Sequence, residues 1–549
     1  MPLMWHVLSL AVGAVLLMYV NRNQWFFGDE WDFLADRSVT IGDLGVLHPH
    51  NEHWSTTPIL LYGLLFRLAG VGSYAPYIGV LLLAHLGVVH LMWRVMLRSR
   101  VEPWIATTVC AAFLPFGPGA ENLLWAFQIG FVGSVGLGLA AILFADHASP
   151  SGRRVRLGWA TSVFALTFSG ISVPLIGASA VAAWMRRGFK ALLVTASVPV
   201  AVYLLWLFTA GSSGVPGVPP TSDSLRVFPE FVGRAGGAVL SLGTATPFVG
   251  VGLLVLTGAA IARRAGRGVA FPHVAVAAAL GEAILLVIIG VVRAPLGFEA
   301  AEATRYVYIG GALLLPLMVI GLSDLIGRRP WGVVVIAALA VVWALHNGQL
   351  LLDKAGAEAD RERVIREQLV AAGTLFEGRA LLRVQPDPVY TPDLDLEELG
   401  VLLPGFQHGI TPGREGLMRA ALALQFSVSD SPQVRSSVAI SHVGATNATI
   451  VPLPSGCVDF RPLGPDARLL IPFEPPSSVG LSSRVPLAVD AFMSGDGLEP
   501  DYRGSVQLEP AQTVYLNVAI DEAIVGQGDI VVGIPWRIQA CPAGPPMDG

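Results

Sequence analysis

The chain has 549 residues, of which 53% are hydrophobic and only 14% are charged, and its formal net charge is −5. Soluble domains carry about a quarter charged residues, so this composition excludes an ordinary soluble protein and predicts a polytopic membrane protein. The mean hydropathy of +0.61 agrees with that prediction. A net charge this small gives no reason to expect a nucleic-acid partner.

Apolar segments of about 18–22 residues are typical of membrane-spanning helices. The run at 103–117 is short, and Gly170 to Pro174 joins two further short runs through a tight turn. No cleavage site of small residues follows the first apolar run, so we expect a retained N-terminal helix. The sequence predicts eleven spans, at 3–20, 75–97, 103–117, 129–146, 157–170, 171–185, 190–210, 236–262, 272–292, 306–326 and 331–347.

Loops rich in arginine alternate along the chain with loops poor in arginine. Cytoplasmic loops carry the excess of Arg and Lys, so this alternation predicts a cytoplasmic N-terminus in the cell membrane. It also places everything after about residue 348 outside. The basic loops contain Arg94, Arg98, Arg100, Arg153, Arg154, Arg156, Arg186, Arg187, Lys190, Arg263, Arg264, Arg267, Arg328 and Arg329.

The first external loop, 21–74, opens with the acidic segment Phe27-Gly28-Asp29-Glu30-Trp31-Asp32. A carboxylate inside hydrocarbon costs several kcal/mol, so we expect this segment at the membrane–water boundary. Residues 30–37 are predicted to form a short amphipathic turn. Residues 57–70 form an apolar helix too short to span, which we expect to lie along the interface with Tyr62 and Arg67 at headgroup level.

Three further external segments carry polar residues. His48, His50, Glu52 and His53 have side chains capable of binding a metal, although such crowding is also common in polar loops. Glu121, Asn122 and Gln128 either line a sugar pocket or cap a helix end, and Trp125 could stack on a sugar ring. The loop 211–235 is rich in Gly, Pro and Ser and is predicted to be mobile. Arg293 and Arg305 either bind phosphate or reach to the interface as snorkelling side chains.

The C-terminal part changes character. Residues 353–372 read as a charged helix, and alternating runs such as 514–520 and 529–535 predict strands of an external β-sandwich or jelly-roll module. Cys457 and Cys541 could form a disulfide, which would require an oxidising compartment. The module could bind glycan, or act as a lid or interaction platform. We therefore divide the chain into a membrane domain 1–350, a linker helix 351–375 and a β-domain 376–549.

The external residues together suggest a chemistry. A transferase that uses a lipid-phosphate donor needs a carboxylate base, arginines whose guanidinium groups match phosphate oxygens, and an apolar slot for the lipid. The acidic segment, Arg293 with Arg305, and the helix 57–70 would supply these on one face.

Here the chain resembles the GT-C superfamily of integral-membrane glycosyltransferases, and within it the actinobacterial arabinofuranosyl- and mannosyltransferases of envelope synthesis. The resemblance covers about residues 1–350. It depends on the number of spans, the interfacial helix, the external β-module and four motifs: 27–32, His50-Asn51-Glu52-His53, Glu121-Asn122-Leu123-Leu124-Trp125-Ala126-Phe127-Gln128 and Arg305-Tyr306.

The resemblance implies inverting transfer of a sugar from a polyprenyl-phosphate donor to a hydroxyl of a glycan, lipid or protein. Asp29 would be the general base, Glu30 or Asp32 would orient the acceptor or share that role, and Arg305 with Arg293 would hold the donor phosphate. No cofactor is required, and a divalent cation is left open. The acceptor and sugar would be bound by Glu52, His53, Glu121, Asn122, Trp125, Gln128 and Tyr306.

Two other functions remain open from the sequence. A transporter or flippase of lipid-linked saccharides would be expected to show repeat symmetry and polar residues at mid-membrane, and no repeat is visible. A non-catalytic envelope scaffold would use the β-domain as its working part. Glu282 lies within an apolar span, and we expect it to make a structural contact with a polar neighbour.

Overall fold

The computed structural model describes most of the N-terminal two thirds of the chain and the strands of the C-terminal part. Residues 214–221 of the loop predicted to be mobile, and Arg328, lie outside the described residues. The described ranges are 1–37, 45–213, 222–294, 297–325, 329–376, 386–387, 390–391, 393–413, 416–417, 419–420, 426–429, 444–453, 457–464, 467–473, 477–484, 487–495, 501–508, 513–518, 528–533 and 537–542.

The chain forms two compact units. The first contains Met1–Trp25 and Asp43–Ala359, and the second contains Phe26–Gly42 and Asp360–Gly549. This division differs from the one drawn on the sequence, because residues 26–42 of the first predicted external loop group with the C-terminal part.

The first unit is helical. In chain order its helices are α1 Pro2–Val20, α2 Thr56–Ala69, α3 Ala75–Arg98, α4 Pro103–Phe113, α5 Glu121–Leu124, α6 Ile129–Ala145, α7 Gly152–Leu166, α8 Ser172–Arg187, α9 Phe189–Thr209, α10 Ser222–Ser241, α11 Phe248–Gly266, α12 His273–Arg293, α13 Thr304–Leu325 and α14 Pro330–Phe376, the last of which ends in the second unit.

Eight helices within the described residues are long and apolar enough to cross a membrane. They contain α1, α3, α6, α9, α11, α12, α13 and α14. Three predicted spans, 103–117, 157–170 and 171–185, correspond to the shorter helices α4, α7 and α8, with 11, 15 and 16 residues. These helices indicate a membrane protein, and the count of eleven spans stays a prediction.

The predicted span 236–262 is wrong in one respect, because the structure divides it between α10 and α11. Leu242 and Gly243 both adopt positive φ angles, of 51° and 84°. A left-handed backbone cannot continue a right-handed helix, and Pro247 precedes the new start at Phe248. Apolar residues on both sides of the break hid it from hydropathy.

Helix α13 lies at the centre of the first unit, with 83% of its apolar window buried. Its Tyr308 hydroxyl hydrogen-bonds Nδ1 of the buried His85 on α3 at 2.8 Å, and His85 Nε2 lies 3.1 Å from the Leu114 carbonyl oxygen. Buried polar groups need such partners in a membrane interior. This network ties α3 and α13 to the chain that follows α4.

The second unit carries a short helix, α15 Leu396–Leu402, begun by a capping box between Asp395 and Glu398. Its described strands are β1 Phe426–Ser429, β2 Gly444–Thr446, β3 Ala448–Pro452, β4 Val458–Pro462, β5 Arg468–Phe473, β6 Ser477–Ser483, β7 Leu487–Gly495, β8 Asp501–Leu508, β9 Thr513–Val518, β10 Gly528–Gly533 and β11 Ile538–Pro542.

The strands form two antiparallel sheets, with orders β1-β9-β6-β11-β4-β3 and β2-β5-β10-β7-β8. The strands predicted at 514–520 and 529–535 correspond to β9 and β10. A disulfide joins Cys457 and Cys541 beside the paired strands β4 and β11. The description of this unit as a sandwich or jelly roll stays a prediction.

Candidate functional site

The segment between α1 and α2 makes a tight turn around His50 and His53. Each backbone N–H of these two residues donates to the carbonyl oxygen of the other, both at 2.9 Å. Asn51, inside the turn, adopts a φ of 50°, a conformation that Asn tolerates better than most residues. The turn is supported by Trp54, which stacks on Trp206 of α9 with ring centroids 5.1 Å apart. The four residues 50–53 are thereby fixed relative to the helices.

Glu52 forms an ion pair with Arg293, the last residue of α12. Its carboxylate also lies 3.7 Å from Nε2 of His53. The side chains of Arg293 and Glu52 are 26% and 32% exposed, so the pair remains accessible. The sequence predicted both residues for the site, and the structure brings them together from positions 241 residues apart.

Glu121 and Arg305 form a second ion pair, at 3.0 Å between Oε1 and Nη1. The other oxygen, Oε2, accepts from the Thr304 hydroxyl at 3.1 Å and from the Arg305 backbone N–H at 2.8 Å. Glu121 therefore caps the N-terminus of α13, where a negative charge is favoured by the helix dipole. This contact is the one expected of a helix cap, which is one of the two roles that the sequence left open for Glu121.

His53 lies where the two ion pairs meet. Burial lowers the pKa of His53 to about 4; Arg293, His50 and Arg305 also lower it, while Glu52 raises it. The Nδ1 atom of His53 is buried without a hydrogen-bond partner among the described residues. A Cβ built on Gly170 would lie 2.9 Å from it, so the wall beside this nitrogen is closely packed. His53 is consequently neutral at physiological pH.

Aromatic rings surround this cluster. The His53 ring meets the edge of Phe131 at 5.7 Å, and Phe131 stacks on Tyr306 at 6.5 Å. The half-buried Trp125 stacks on Phe127 at 5.0 Å, and the His50 ring contacts Phe127 edge-on at 5.3 Å. These rings give the cluster an apolar lining of a kind that suits a sugar face.

Asn122 and Gln128 do not face an open surface. Both side chains are buried, at 0% and 2% exposure, and the Asn122 amide donates to Gln128 Oε1 at 3.4 Å. Tyr62, predicted at headgroup level, is also buried and packs against Tyr77. Asn122 and Gln128 are thus positioned as internal supports of the segment that carries Trp125, rather than as groups that reach a ligand directly.

The acidic segment belongs to the second unit, and its three carboxylates have different environments. Glu30 is fully buried, and its Oε2 accepts from the Phe27 backbone N–H at 3.1 Å. Asp32 is 6% exposed and accepts from Arg37 Nε at 3.1 and 2.9 Å. Asp29 is partly exposed. Among the three carboxylates, Asp29 is the most exposed.

The segment is held to the C-terminal part of the same unit. Gly28, with a φ of 61°, donates its backbone N–H to the Tyr390 carbonyl oxygen at 2.6 Å. The Arg361 guanidinium lies 5.3 Å from the Phe27 ring and 5.6 Å from the Tyr390 ring. A cation over two aromatic faces is a favourable contact, so Arg361 helps to fix the backbone that precedes Asp29.

Some contributors were missed by the sequence reasoning. Thr304, which bonds Glu121, stands directly before Arg305, and a threonine at the start of an apolar span is a recognisable capping signal. Gly170 and Phe131 contact His53, and no sequence pattern indicates those contacts. Within the described ranges, no group of three or more His, Cys, Asp or Glu residues is arranged to hold a metal ion.

Comparison with known proteins gives little guidance. No protein-family model and no curated protein matches the chain. Among solved structures, the chain is similar to the crystal structure of ArnT from Cupriavidus metallidurans bound to undecaprenyl phosphate. The identity is 13%, the match covers 77% of this chain and 92% of that chain, and the TM-score is 0.47. A similarity of this degree does not establish a shared family or reaction.

Proposed function

We propose that the protein is a membrane glycosyltransferase that transfers a sugar from a polyprenyl-phosphate donor to a hydroxyl acceptor, with inversion. The observation that carries the proposal is the convergence of Arg293 and Arg305 on His53, each held by its own glutamate. The arginines come from the end of α12 and the start of α13, and aromatic rings line their surroundings.

This arrangement suits a phosphate at a membrane boundary. A guanidinium has five N–H donors in a fixed plane, and one carboxylate contact orients that plane without using every donor. The two pairs are about one third exposed or less, so a phosphate can reach them. Cations beside the bridging oxygen would stabilise the charge that develops as the sugar leaves its phosphate.

Asp29 is the best candidate for the general base. A base must reach the acceptor hydroxyl. Glu30 and Asp32 are buried, at 0% and 6% exposure, whereas Asp29 is partly exposed. Glu30 and Asp32 then act by holding the segment in place. Proton transfer from the acceptor hydroxyl to Asp29 would accompany bond formation to the sugar, and the phosphate would leave with its electron pair.

The phosphate role can be tested by donor-lipid binding. Full-length protein in nanodiscs would be titrated with a polyprenyl phosphate, and Arg293→Gln and Arg305→Gln are each expected to weaken binding by about tenfold or more. Arg305→Lys keeps a cation beside Glu121. This variant therefore distinguishes loss of phosphate binding from loss of the Glu121 cap on α13. Arg67→Gln, an exposed arginine of α2, is the matched control. Unchanged binding in both glutamine variants would exclude this phosphate site.

A transporter of lipid-linked saccharides is the second candidate, and Glu282 is the observation that favours it. Its side chain is 1% exposed within α12, and Oε2 has no hydrogen-bond partner among the described residues. An ionisable side chain in a membrane interior often serves transport. Movement of a labelled lipid-linked sugar across proteoliposomes in the absence of transfer, abolished by Glu282→Gln, would favour this function.

A further inference from the structure

A large cavity lies at the bundle end that the arginine pattern predicts to face the cytoplasm. It has a volume of about 840 Å³ and is bordered by α1, α3, α6, the segment between α6 and α7, and the first turn of α7. A second cavity of about 310 Å³ adjoins it, and Phe144 and Arg154 line both. Neither cavity is lined by His53 or by the residues of its two neighbouring ion pairs. The two cavities are therefore considered as a separate site.

Cations line these cavities without acidic residues. Arg94, Arg98 and Arg154 border the larger cavity, and Arg187 and Lys190 join Arg154 at the smaller one. Among the described residues that line them, none is Asp or Glu. The two cavities therefore bring several positive charges together at one surface region, which favours an anion.

One acidic residue, Asp146, does not line the cavity but binds Arg98, which does. Asp146 is 4% exposed, and its Oδ2 accepts from Arg98 Nε at 2.7 Å, while its carbonyl oxygen accepts from Arg98 Nη2 at 2.6 Å. The Asp146 carboxylate also lies 3.7 Å from Arg186 and 3.9 Å from His273. Its negative charge therefore interacts with these groups as well as with Arg98. It thus holds Arg98 in place and leaves the cavity with an excess of positive charge.

The remaining cations of the larger cavity lack a carboxylate. Arg154 lies 3.4 Å from His147 Nδ1, and neither it nor Arg94 has an acidic group within ion-pair distance among the described residues. The pKa of His147 is lowered by burial first and then by Arg154 and Arg98, and Asp146 opposes them. Burial is therefore the main cause of the lowered pKa, and the neighbouring arginines act in the same direction.

Apart from its arginines and the two histidines His90 and His147, the larger cavity has an apolar lining. Leu3, Leu91, Leu97 and Leu143 border it together with Phe144. A small soluble anion would satisfy the arginines and leave these side chains against water, whereas a lipid would cover both parts. The volume falls within the range of about 300–1,000 Å³ that is typical of small-molecule sites. The ligand that fits is amphipathic, with a phosphate head and hydrocarbon chains.

We propose that this cavity binds an anionic glycerophospholipid of the cytoplasmic leaflet. Arg94, Arg98 and Arg154 hold its phosphate, and its acyl chains run along Leu91, Leu97 and Leu143. The anionic lipid would thereby join α1, α3 and α6 to the start of α7 at the membrane surface. Basic pockets between helices on this side of a membrane are suited to anionic head groups. The inference does not depend on the proposed transferase function.

The test is lipid binding to the full chain. Detergent-purified protein would be studied by native mass spectrometry with phosphatidylglycerol, phosphatidylcholine, a polyprenyl phosphate or sodium phosphate added in turn. We expect phosphatidylglycerol to be retained in preference to the other three. The variant Arg94→Gln/Arg154→Gln should lose affinity for phosphatidylglycerol by about five- to tenfold for each arginine removed. Arg94→Lys/Arg154→Lys should retain most of the affinity for phosphatidylglycerol. Such a result would show that the protein tolerates substitution at these two positions.

Arg153→Gln is the matched control, because Arg153 is an exposed neighbour on the same turn of α7 and does not line the cavity. Equal losses in Arg153→Gln and the double variant would overturn the proposal, as would equal binding of phosphatidylcholine and phosphatidylglycerol. Tight binding of sodium phosphate would assign the cavity to a soluble anion. Preference for the polyprenyl phosphate would assign it to the donor lipid. Either result would contradict a glycerophospholipid site.

Discussion

His53 is the least exposed member of the cluster that it forms with Glu52, Arg293, Glu121 and Arg305. Its imidazole is only 19% exposed, and desolvation is the main cause that disfavours its protonated form; Glu52 favours that form, and Arg293, His50 and Arg305 disfavour it. A neutral imidazole beside Glu52 can donate or accept a hydrogen bond without competing for the phosphate. That property would suit the proposed phosphate site.

His53 should make the protein sensitive to acid. Its pKa is about 4 in the folded protein and 6.5 in the reference state, so the unfolded chain binds more protons between these values. Stability should be unaffected above pH 6.5 and should fall as the pH drops from 6.5 to 4, by about 3 kcal/mol in total. Thermal unfolding of His53→Gln should show a smaller loss between pH 7 and pH 4.5 than wild type. His48→Gln, an exposed residue of the same loop, should behave as wild type; equal acid sensitivity in all three proteins would contradict this role.

Single residues also show what the sequence could and could not disclose. Asp29 could be named because three carboxylates follow the first apolar span, and Arg293 and Arg305 because the predicted external loops are otherwise poor in arginine. The pairing of Arg293 with Glu52 could not be predicted, because these residues are 241 residues apart and only tertiary packing joins them. Asn122 and Gln128 looked equally accessible in sequence, and burial of both amides follows from packing that no local pattern encodes.

At the scale of elements, α11 and α13 approach each other closely through a glycine. A Cβ built on Gly321 would lie 2.5 Å from the backbone nitrogen of Thr257. The Thr257 hydroxyl lies 2.9 Å from the Met318 carbonyl oxygen and accepts from the Gly321 N–H at 3.2 Å. Membrane helices commonly associate through small residues that allow close approach and through hydrogen bonds from Ser or Thr hydroxyls across the interface. Hydropathy indicated the apolar segments that contain both helices, but it could not indicate the contact between Gly321 and Thr257.

Gly321→Val should separate these two helices. Overpacking costs about 1–3 kcal/mol, and the displaced Thr257 would also lose its hydrogen bonds. We expect a lower unfolding temperature in detergent and earlier proteolysis. The control is Gly258→Val on α11, because nothing lies within 4 Å of a Cβ at Gly258. Equal destabilisation by the two substitutions would show that helix propensity, and not this contact, is responsible.

At the scale of the whole molecule, the sequence correctly separated an apolar helical part from a part rich in strands. Periodicity and hydropathy carry that distinction along the chain. They did not indicate that residues 26–42 group with the C-terminal unit, because the contacts that do so, such as Gly28 with Tyr390, connect distant segments. On the sequence, a loop after a span is assigned to the membrane domain by default, whereas the compact units divide the chain differently.

The disulfide allows a test of whether the C-terminal unit resides in an oxidising compartment. Cys457 and Cys541 are 84 residues apart in sequence, and closure of such a loop stabilises a domain by about 2–4 kcal/mol. Protein denatured without reductant should react with a maleimide at Cys110 alone, and after reduction at all three cysteines. Cys457→Ser/Cys541→Ser should lower the unfolding temperature. Three reactive thiols before reduction would contradict both the bond and an oxidising location.

The central claim is that the protein transfers sugar with Asp29 as the general base. The most direct measurement is release of polyprenyl phosphate by protein in proteoliposomes supplied with polyprenyl-phosphate mannose or polyprenyl-phosphate arabinofuranose and envelope acceptors. A general base contributes about 10²–10⁴-fold, so Asp29→Asn should lower turnover by at least about a hundredfold with donor binding unchanged. Asp353→Asn, which alters an exposed aspartate, should retain full turnover. Full turnover by Asp29→Asn would contradict the role of Asp29, and absence of release by wild-type protein with either donor would contradict the proposed transfer from these donors.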